Sequence, residues 1–327
     1  MKRGALIALV LGLALFIGLV VHEGIASVAD ALAAAGWGLV VVAAYHLVPL
    51  LLDSGALAVL PPRRHRFGTV LRARWINESV NGLLPVAQMG GPLVMVRRLV
   101  QDGGRSDQAG AVVTVATTQQ MLSQAVFAAI GIVLLAAYAG DRTLMWVLLI
   151  GSALFAANAT WFYYLQRRGL FARLARMLNK VASGRDWLDL TGGAEALDVA
   201  VQSVYRHAGA ARASFALNLA GWLAGTGEVW LALYFLGHPV SLLDALFLES
   251  LGQAIRGIAF LIPGALGVQE GGYVLLGAMV GVPADTALAL SLTKRARELL
   301  LGLPGLLDWQ IHEGRRLHRA HIAGAER

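Results

Sequence analysis

Apolar runs about as long as a bilayer is thick recur along the chain, separated by short polar or basic segments. Leu6 to Val21, Trp37–Leu60, Ala109–Ala137, Leu144–Leu165, Ser214–Leu236 and Thr286–Ile311 read as full transmembrane helices. The first follows Lys2 and Arg3, has no small-residue cleavage site after it and precedes further spans, so it reads as a helix rather than a signal peptide. Two other stretches, Trp75–Val96 and Leu242–Val282, are apolar but interrupted by Asn, Gln, Glu, Gly and Pro. Interrupted helices of this kind line cavities or re-enter from one side, because unpaired backbone is not tolerated in lipid. The strand rhythm of an outer-membrane barrel is missing. The pattern therefore predicts an all-α polytopic membrane protein, with about six full transmembrane helices and two broken, re-entrant hairpins.

Composition supports this. Of the 327 residues, 57% are hydrophobic and 14% charged, a balance foreign to a water-soluble globule. The chain has no Cys, which excludes disulfides, thiolate metal sites and Cys nucleophiles. A net charge of +7 invites a nucleic-acid partner, but the charge is placed otherwise. Segments 2–3, 63–105, 167–212 and 315–327 hold most of the 27 basic residues, and Arg142 is the one in an outer connection. Arg256, Lys294, Arg295 and Arg297 fall within the membrane. By the positive-inside rule both termini lie in the cytoplasm of a bacterial inner membrane, with no nucleic acid as partner.

The two broken stretches resemble each other. Asn81-Gly82-Leu83-Leu84-Pro85-Val86-Ala87-Gln88-Met89-Gly90-Gly91 lies on Phe260-Leu261-Ile262-Pro263-Gly264-Ala265-Leu266-Gly267-Val268-Gln269-Glu270-Gly271-Gly272. Pro85 matches Pro263 at an offset of 178, and Gln88, Gly90 and Gly91 match Gln269, Gly271 and Gly272 at 181. Helix, helix, broken hairpin, helix then occurs twice, once starting inside and once outside, which is an inverted-topology repeat of the transporter kind. On that plan residues 1–137 form the first repeat and 138–311 the second, with a cytoplasmic amphipathic loop at 167–211. Residues 312–327 form a basic cytoplasmic tail. Pro85, Gly90, Gly91, Pro263, Gly264, Gly267, Gly271 and Gly272 are the hinge and helix-breaking positions; chance similarity among Gly- and Pro-rich membrane helices is the competing account.

At these residues the chain resembles the lysylphosphatidylglycerol synthase transmembrane-region family, the flippase-like membrane proteins. The likeness spans essentially the whole chain and is most specific at Pro263-Gly264-x-x-Gly267-Val268-x-Glu270-Gly271 and in the charged last span. The run Asn77-Glu78-Ser79-Val80-Asn81-Gly82-Leu83-Leu84-Pro85-Val86-Ala87-Gln88 most resembles the branch associated with hopanoid biosynthesis. The resemblance implies lipid translocation between leaflets, with a hopanoid or a precursor as cargo for that branch. Bifunctional members carry a cytosolic aminoacyl-transferase domain after the membrane part. This chain ends at Arg327, so no synthase activity is expected of it.

Ionisable groups within a bilayer cost several kcal/mol unless paired or hydrated, and are functional candidates for that reason. The substrate or transport candidates are Asp53, Arg74, Glu78, Asn81, Gln88, Glu228, Arg256, Gln269, Glu270, Lys294, Arg295, Arg297 and Glu298. Glu249 is also embedded. Arg295 and Glu298 share a helix face, whereas Arg297 points elsewhere and needs another partner or water. Arginines here would hold a lipid phosphate through their planar fork of donors. The carboxylates would balance that charge or take up protons. The competing account is that the Arg–Glu pairs only lock helices together. Thr114, Thr117, Thr118, Gln119, Gln120, Ser123 and Gln124 stud one span, lining a wet cavity or bonding neighbouring helices. Leu170–Leu178 has amphipathic spacing and is expected either on the anionic inner leaflet or as a solvated linker.

No phosphate-binding loop, H-E-x-x-H or G-x-S-x-G occurs, and no metal or cofactor is expected. The favoured function is translocation of a polar-headed or isoprenoid/hopanoid-type lipid through a central polar cavity. The alternatives are an intramembrane lipid-modifying enzyme and a non-catalytic scaffold for a lipid-biosynthesis complex. Expected partners are membrane lipids as substrate and anionic inner-leaflet lipids at the basic loop. Copies of the same chain or lipid-biosynthesis enzymes are the protein partners considered.

Overall fold

The computed structural model describes residues 33, 35–84, 90–138, 142–173, 186–259, 262 and 265–325. The expected span Leu6 to Val21 and the positions Pro85, Gln88, Pro263 and Gly264 lie outside them. Eleven helices occur among the described residues, and no strand. They are α1 (Gly38–Tyr45), α2 (Leu47–Ala58), α3 (Phe67–Leu83), α4 (Gly90–Gln101), α5 (Ser106–Tyr138) and α6 (Arg142–Arg167). After these come α7 (Asp186–Arg206), α8 (Ala208–Phe235), α9 (Leu242–Ile258), α10 (Val268–Met279) and α11 (Ala284–Ala325).

Helices α1 and α2 meet at His46 almost without a break. The His46 N–H donates to the Val42 carbonyl and the Leu50 N–H to the His46 carbonyl, each at 3.2 Å. Together they form one apolar rod, Gly38–Ala58, long enough to cross a membrane; Ser106–Ala136 within α5 is the other such segment among the described residues. Leu144–Leu165, Ser214–Leu236 and Thr286–Ile311 fall inside the long helices α6, α8 and α11. In α11, Lys294, Arg295, Arg297 and Glu298 interrupt the apolar run.

Both interrupted stretches form helix pairs. In the first, the Gly91 N–H at the start of α4 donates to Asn81 Oδ1 near the end of α3, at 2.9 Å. A Cβ at Gly91 would stand 2.5 Å from the Asn77 carbonyl oxygen, so the two arms touch only because that residue is glycine. In the second, Gly272 of α10 faces Ile255 of α9, a Cβ there falling 2.8 Å from Ile255 Cδ1. Gly267, at φ +75°, turns the chain into α10. A capping box starts α9: the Asp244 N–H donates to Ser241 Oγ, and the Ser241 N–H donates to the Asp244 carboxylate.

The pairs cross over in packing. Helix α3 lies against α11 and α9 against α5, while α2 packs along α8 near the centre. Pro304 removes one N–H from the α11 ladder. Close by, the Trp75 indole of α3 donates to the Leu301 carbonyl at 2.8 Å.

Of the amphipathic stretch Leu170–Leu178, residues 174–178 lie outside the described residues; later in the 167–211 loop, helix α7 packs against α5. Val201, Val204 and Tyr205 are buried in a core with Leu57, Val70, Leu99 and Val113. Asp198 accepts the N–H groups of Phe171 and Ala172, tying α7 to the chain after α6. The Tyr205 hydroxyl, whose pKa burial raises above the ordinary phenol range, donates to Gln166 Oε1 at 2.9 Å. Helix α11 continues into the basic tail as far as Ala325. Outside, Trp37, Leu93, Val133, Trp146, Leu154, Trp161, Leu303 and Leu307 are exposed. Large apolar groups outward with charged groups inward is the arrangement lipid demands and water penalises.

Candidate functional site

Helix α11 is the hub of a buried ion network. Ser291 and Arg295, four residues apart, share one face and meet Glu270 of α10. Arg295 Nε lies 2.7 Å and Ser291 Oγ 3.3 Å from Glu270 Oε1, and Glu270 is fully buried. Lys294 turns toward α9 and α8. Its Nζ is 2.6 Å from Glu249 Oε2 and 3.8 Å from Glu228 Oε1. Gln253 and Tyr273 also donate to the Glu249 carboxylate. Glu298 accepts from Arg256 Nη1 of α9 at 2.6 Å and lies 3.5 Å from Arg297 Nη2. Arg297 Nη1 reaches Glu228 Oε2 of α8 at 3.3 Å and lies against both ring nitrogens of His46.

The antiparallel helices α2 and α3 add two rungs. His46 and Asp53 are two turns apart on one face of the α1–α2 rod, while Glu78 and Arg74 are one turn apart on α3. His46 Nε2 is 2.6 Å from Glu78 Oε1, and Arg74 Nη2 is 2.7 Å from Asp53 Oδ2. Arg74 also donates to Gln120 of α5 at 3.0 Å. The second nitrogen of His46, Nδ1, lies 2.8 Å from Glu228 Oε2. Five helical segments and the α1–α2 rod thus converge on one set of charges: Glu78, Glu228, Glu249, Glu270 and Glu298 against Arg256, Lys294, Arg295, Arg297 and the His46 ring.

Most sequence candidates gather here, with different partners from those the chain's own spacing predicts. Arg295 goes to Glu270, and Glu298 to Arg256 and Arg297. Arg297 finds the further partner it needs in Glu228. Asn81 holds the first hairpin together through Gly91 rather than joining the charges. Gln269 is buried beside Glu270, its Oε1 unpaired, as is Glu270 Oε2. Gly90 begins α4, and the Gly271 N–H donates to the Gly267 carbonyl in the first turn of α10.

The polar stripe of α5 serves largely as interhelical bonding. Gln166 donates to Thr118, Trp222 to Ser123, and Gln124 to the Gln253 carbonyl. Sequence reasoning missed His46 and Tyr273. For His46 the signal was available: a titratable ring midway along an uninterrupted apolar span. Among the described residues no cluster of three or more His, Asp or Glu is set to hold a metal ion.

A helical bundle with apolar groups outward and ion pairs at its centre fits a helical membrane protein. The chain belongs to the family described as Lysylphosphatidylglycerol synthase TM region, whose model matches residues 5–305. The family places the chain among membrane proteins of lipid processing. No curated protein and no solved structure gives a significant match.

Proposed function

We propose that the protein moves a polar-headed lipid between the leaflets of the bacterial inner membrane, both termini lying in the cytoplasm. The lipid head passes along the central ion network, between two inverted repeats that rock around it. The observation carrying this reading is the density of charge at the meeting point of α2, α3, α8, α9, α10 and α11. A bundle that needed only to be stable gains little from buried ion pairs over apolar packing, and intramembrane charge is costly enough that its concentration in one place points to use.

Correspondence between the hairpins supports the repeat. Gly91 abuts Asn77 in one and Gly272 abuts Ile255 in the other. These positions match once the three extra residues of the second hairpin are allowed for. The crossed packing of α3 on α11 and α9 on α5 has the same reciprocal character. Residues 1–137 and 138–311 are then the two halves. Likeness of the 77–88 run to the hopanoid-associated branch favours a hopanoid-type lipid or precursor, and the embedded arginines favour an anionic head.

A second reading has its own support, because each embedded cation of the network stands beside a carboxylate. On that reading the pairs lock helices and the protein organises partners instead of transporting. Purified protein in vesicles with head-group-labelled lipids and an outer-leaflet quencher separates the two. Glu270→Gln keeps the size of the side chain and an acceptor for Arg295 and Ser291 but removes the charge. It and Arg256→Ala are expected to abolish lipid movement while the protein remains folded by size-exclusion and circular dichroism. Unfolding of both variants would favour the locking role, and undiminished movement would remove these residues from the path.

A further inference from the structure

His46 adds a second layer to the same site, and its role there rests on the translocation reading. Its ring is held at both nitrogens by carboxylates from different helices, Glu78 of α3 at Nε2 and Glu228 of α8 at Nδ1. A neutral imidazole has one N–H, so it can donate to only one ionised carboxylate. Filling both positions takes one more proton than a neutral ring and two carboxylates possess. The ends of the triad are unequal. Glu228 is buried and also faces Arg297 and Lys294 of α11, while the Glu78 side chain is 40% exposed, with Arg74 one turn before it. Asp53, two turns along on α2, is occupied by Arg74. Glu298 stands behind Arg297, and Glu249 behind Lys294.

We propose that this triad carries a proton and that the protein couples lipid movement to proton movement. Two hydrogen-bond sets are available to the same atoms. With the proton present, the ring donates to Glu78 and Glu228 and bridges α3 to α8. When it leaves, the Nε2–H bond breaks, an O–H bond forms on Glu78, and the exposed carboxylic acid passes the proton to water. A lone pair on Nε2 then faces the Glu78 carboxylate, which repels it, and Arg297 Nη1, 3.0 Å from Nε2, is already placed to donate to that bare nitrogen. Glu228 keeps Arg297 and Lys294, so the contact that opens is the one to Glu78. Three residues beyond Glu78, Asn81 holds Gly91. Release of Glu78 therefore opens one of the two rungs between α3 and the α1–α2 rod, and the first hairpin, α3 with α4, can tilt about the Arg74–Asp53 rung that remains. Uptake reverses each step, the proton returning through Glu78 from whichever side the cavity faces. Protons and hairpin position are thereby linked without any other chemical change.

The experiment uses proteoliposomes with head-group-labelled phosphatidylglycerol and a trapped pH dye, with the pH gradient set in either direction. Wild-type movement is expected to be faster under one polarity than the other and to dissipate the gradient. A protonophore should equalise the two rates. At one proton per lipid, a gradient of one pH unit biases the final lipid distribution about tenfold. In His46→Gln, which cannot take the second proton, the ratio of rates under the two polarities should fall to about one. Equal wild-type rates under both polarities with no dye response would overturn the coupling while leaving translocation standing. Full gradient sensitivity in His46→Gln would overturn His46 as the carrier. If that variant does not fold, the wild-type dye response and protonophore effect decide the coupling. No lipid movement by folded wild type under either polarity would remove the translocation reading, and the coupling with it.

Discussion

At the scale of single residues, the interior is governed by the cost of an unmatched charge. Lys294 is 2% exposed and rests on Glu249 with Glu228 close behind. Removing one member of such a pair leaves the other buried and uncompensated, at about 3–5 kcal/mol. Lys294→Met is therefore expected to lower the thermal unfolding midpoint in detergent sharply. Adding Glu249→Gln should recover part of the loss, although Glu228 keeps it from recovering all. A double variant no more stable than the single one would mean that the two groups do not interact. The location of these charges was legible in the sequence, because every one interrupts an apolar stretch. Their pairing was not. Helical spacing relates only residues three or four apart, as for Arg295 and Glu298. The partners used, such as Arg295 with Glu270 or Glu228 with His46, come from different helices and depend on how those helices cross.

Helices approach closely where glycine leaves room, and the two hairpins provide a graded test at the scale of elements. At Gly91 a methyl group would meet the Asn77 backbone oxygen, which cannot move without bending α3. At Gly272 it would meet the tip of the Ile255 side chain, which can turn aside. Gly82 has open space around it. Gly91→Ala should then cost more than Gly272→Ala, with overpacking penalties in the range of about 1–3 kcal/mol. Gly82→Ala, in the last turn of α3, should be neutral or stabilising by up to about 1 kcal/mol. Chemical unfolding of the three variants side by side gives the order, and equal losses at Gly91 and Gly82 would contradict the close contact. Sequence reading located both interruptions from their Gly and Pro. It did not foresee that 186–206 would fold as a core helix. Asp189, Glu195 and Asp198 break its apolar pattern, and burial of Val201, Val204 and Tyr205 comes from α5 lying alongside.

For the whole molecule, the decisive question is which way each half faces. The proposed inverted arrangement puts the connection between α2 and α3 in the cytoplasm and the connection between α8 and α9 outside, since each hairpin re-enters from the side on which its preceding helix emerges. Arg64 and His238 are exposed in these two connections. The chain contains no Cys, so a single introduced thiol reports without background. In intact spheroplasts, His238→Cys should react with a membrane-impermeant maleimide, and Arg64→Cys should react only after the membrane is opened. Both sites reacting from the same side would mean that the halves run parallel, and the Gly91 and Gly272 contacts would then be a likeness of local packing without inversion. Opposite labelling would leave the ion network between two oppositely facing hairpins. In that geometry a rocking motion exposes the same charges to each side in turn, as a leaflet-to-leaflet pathway requires.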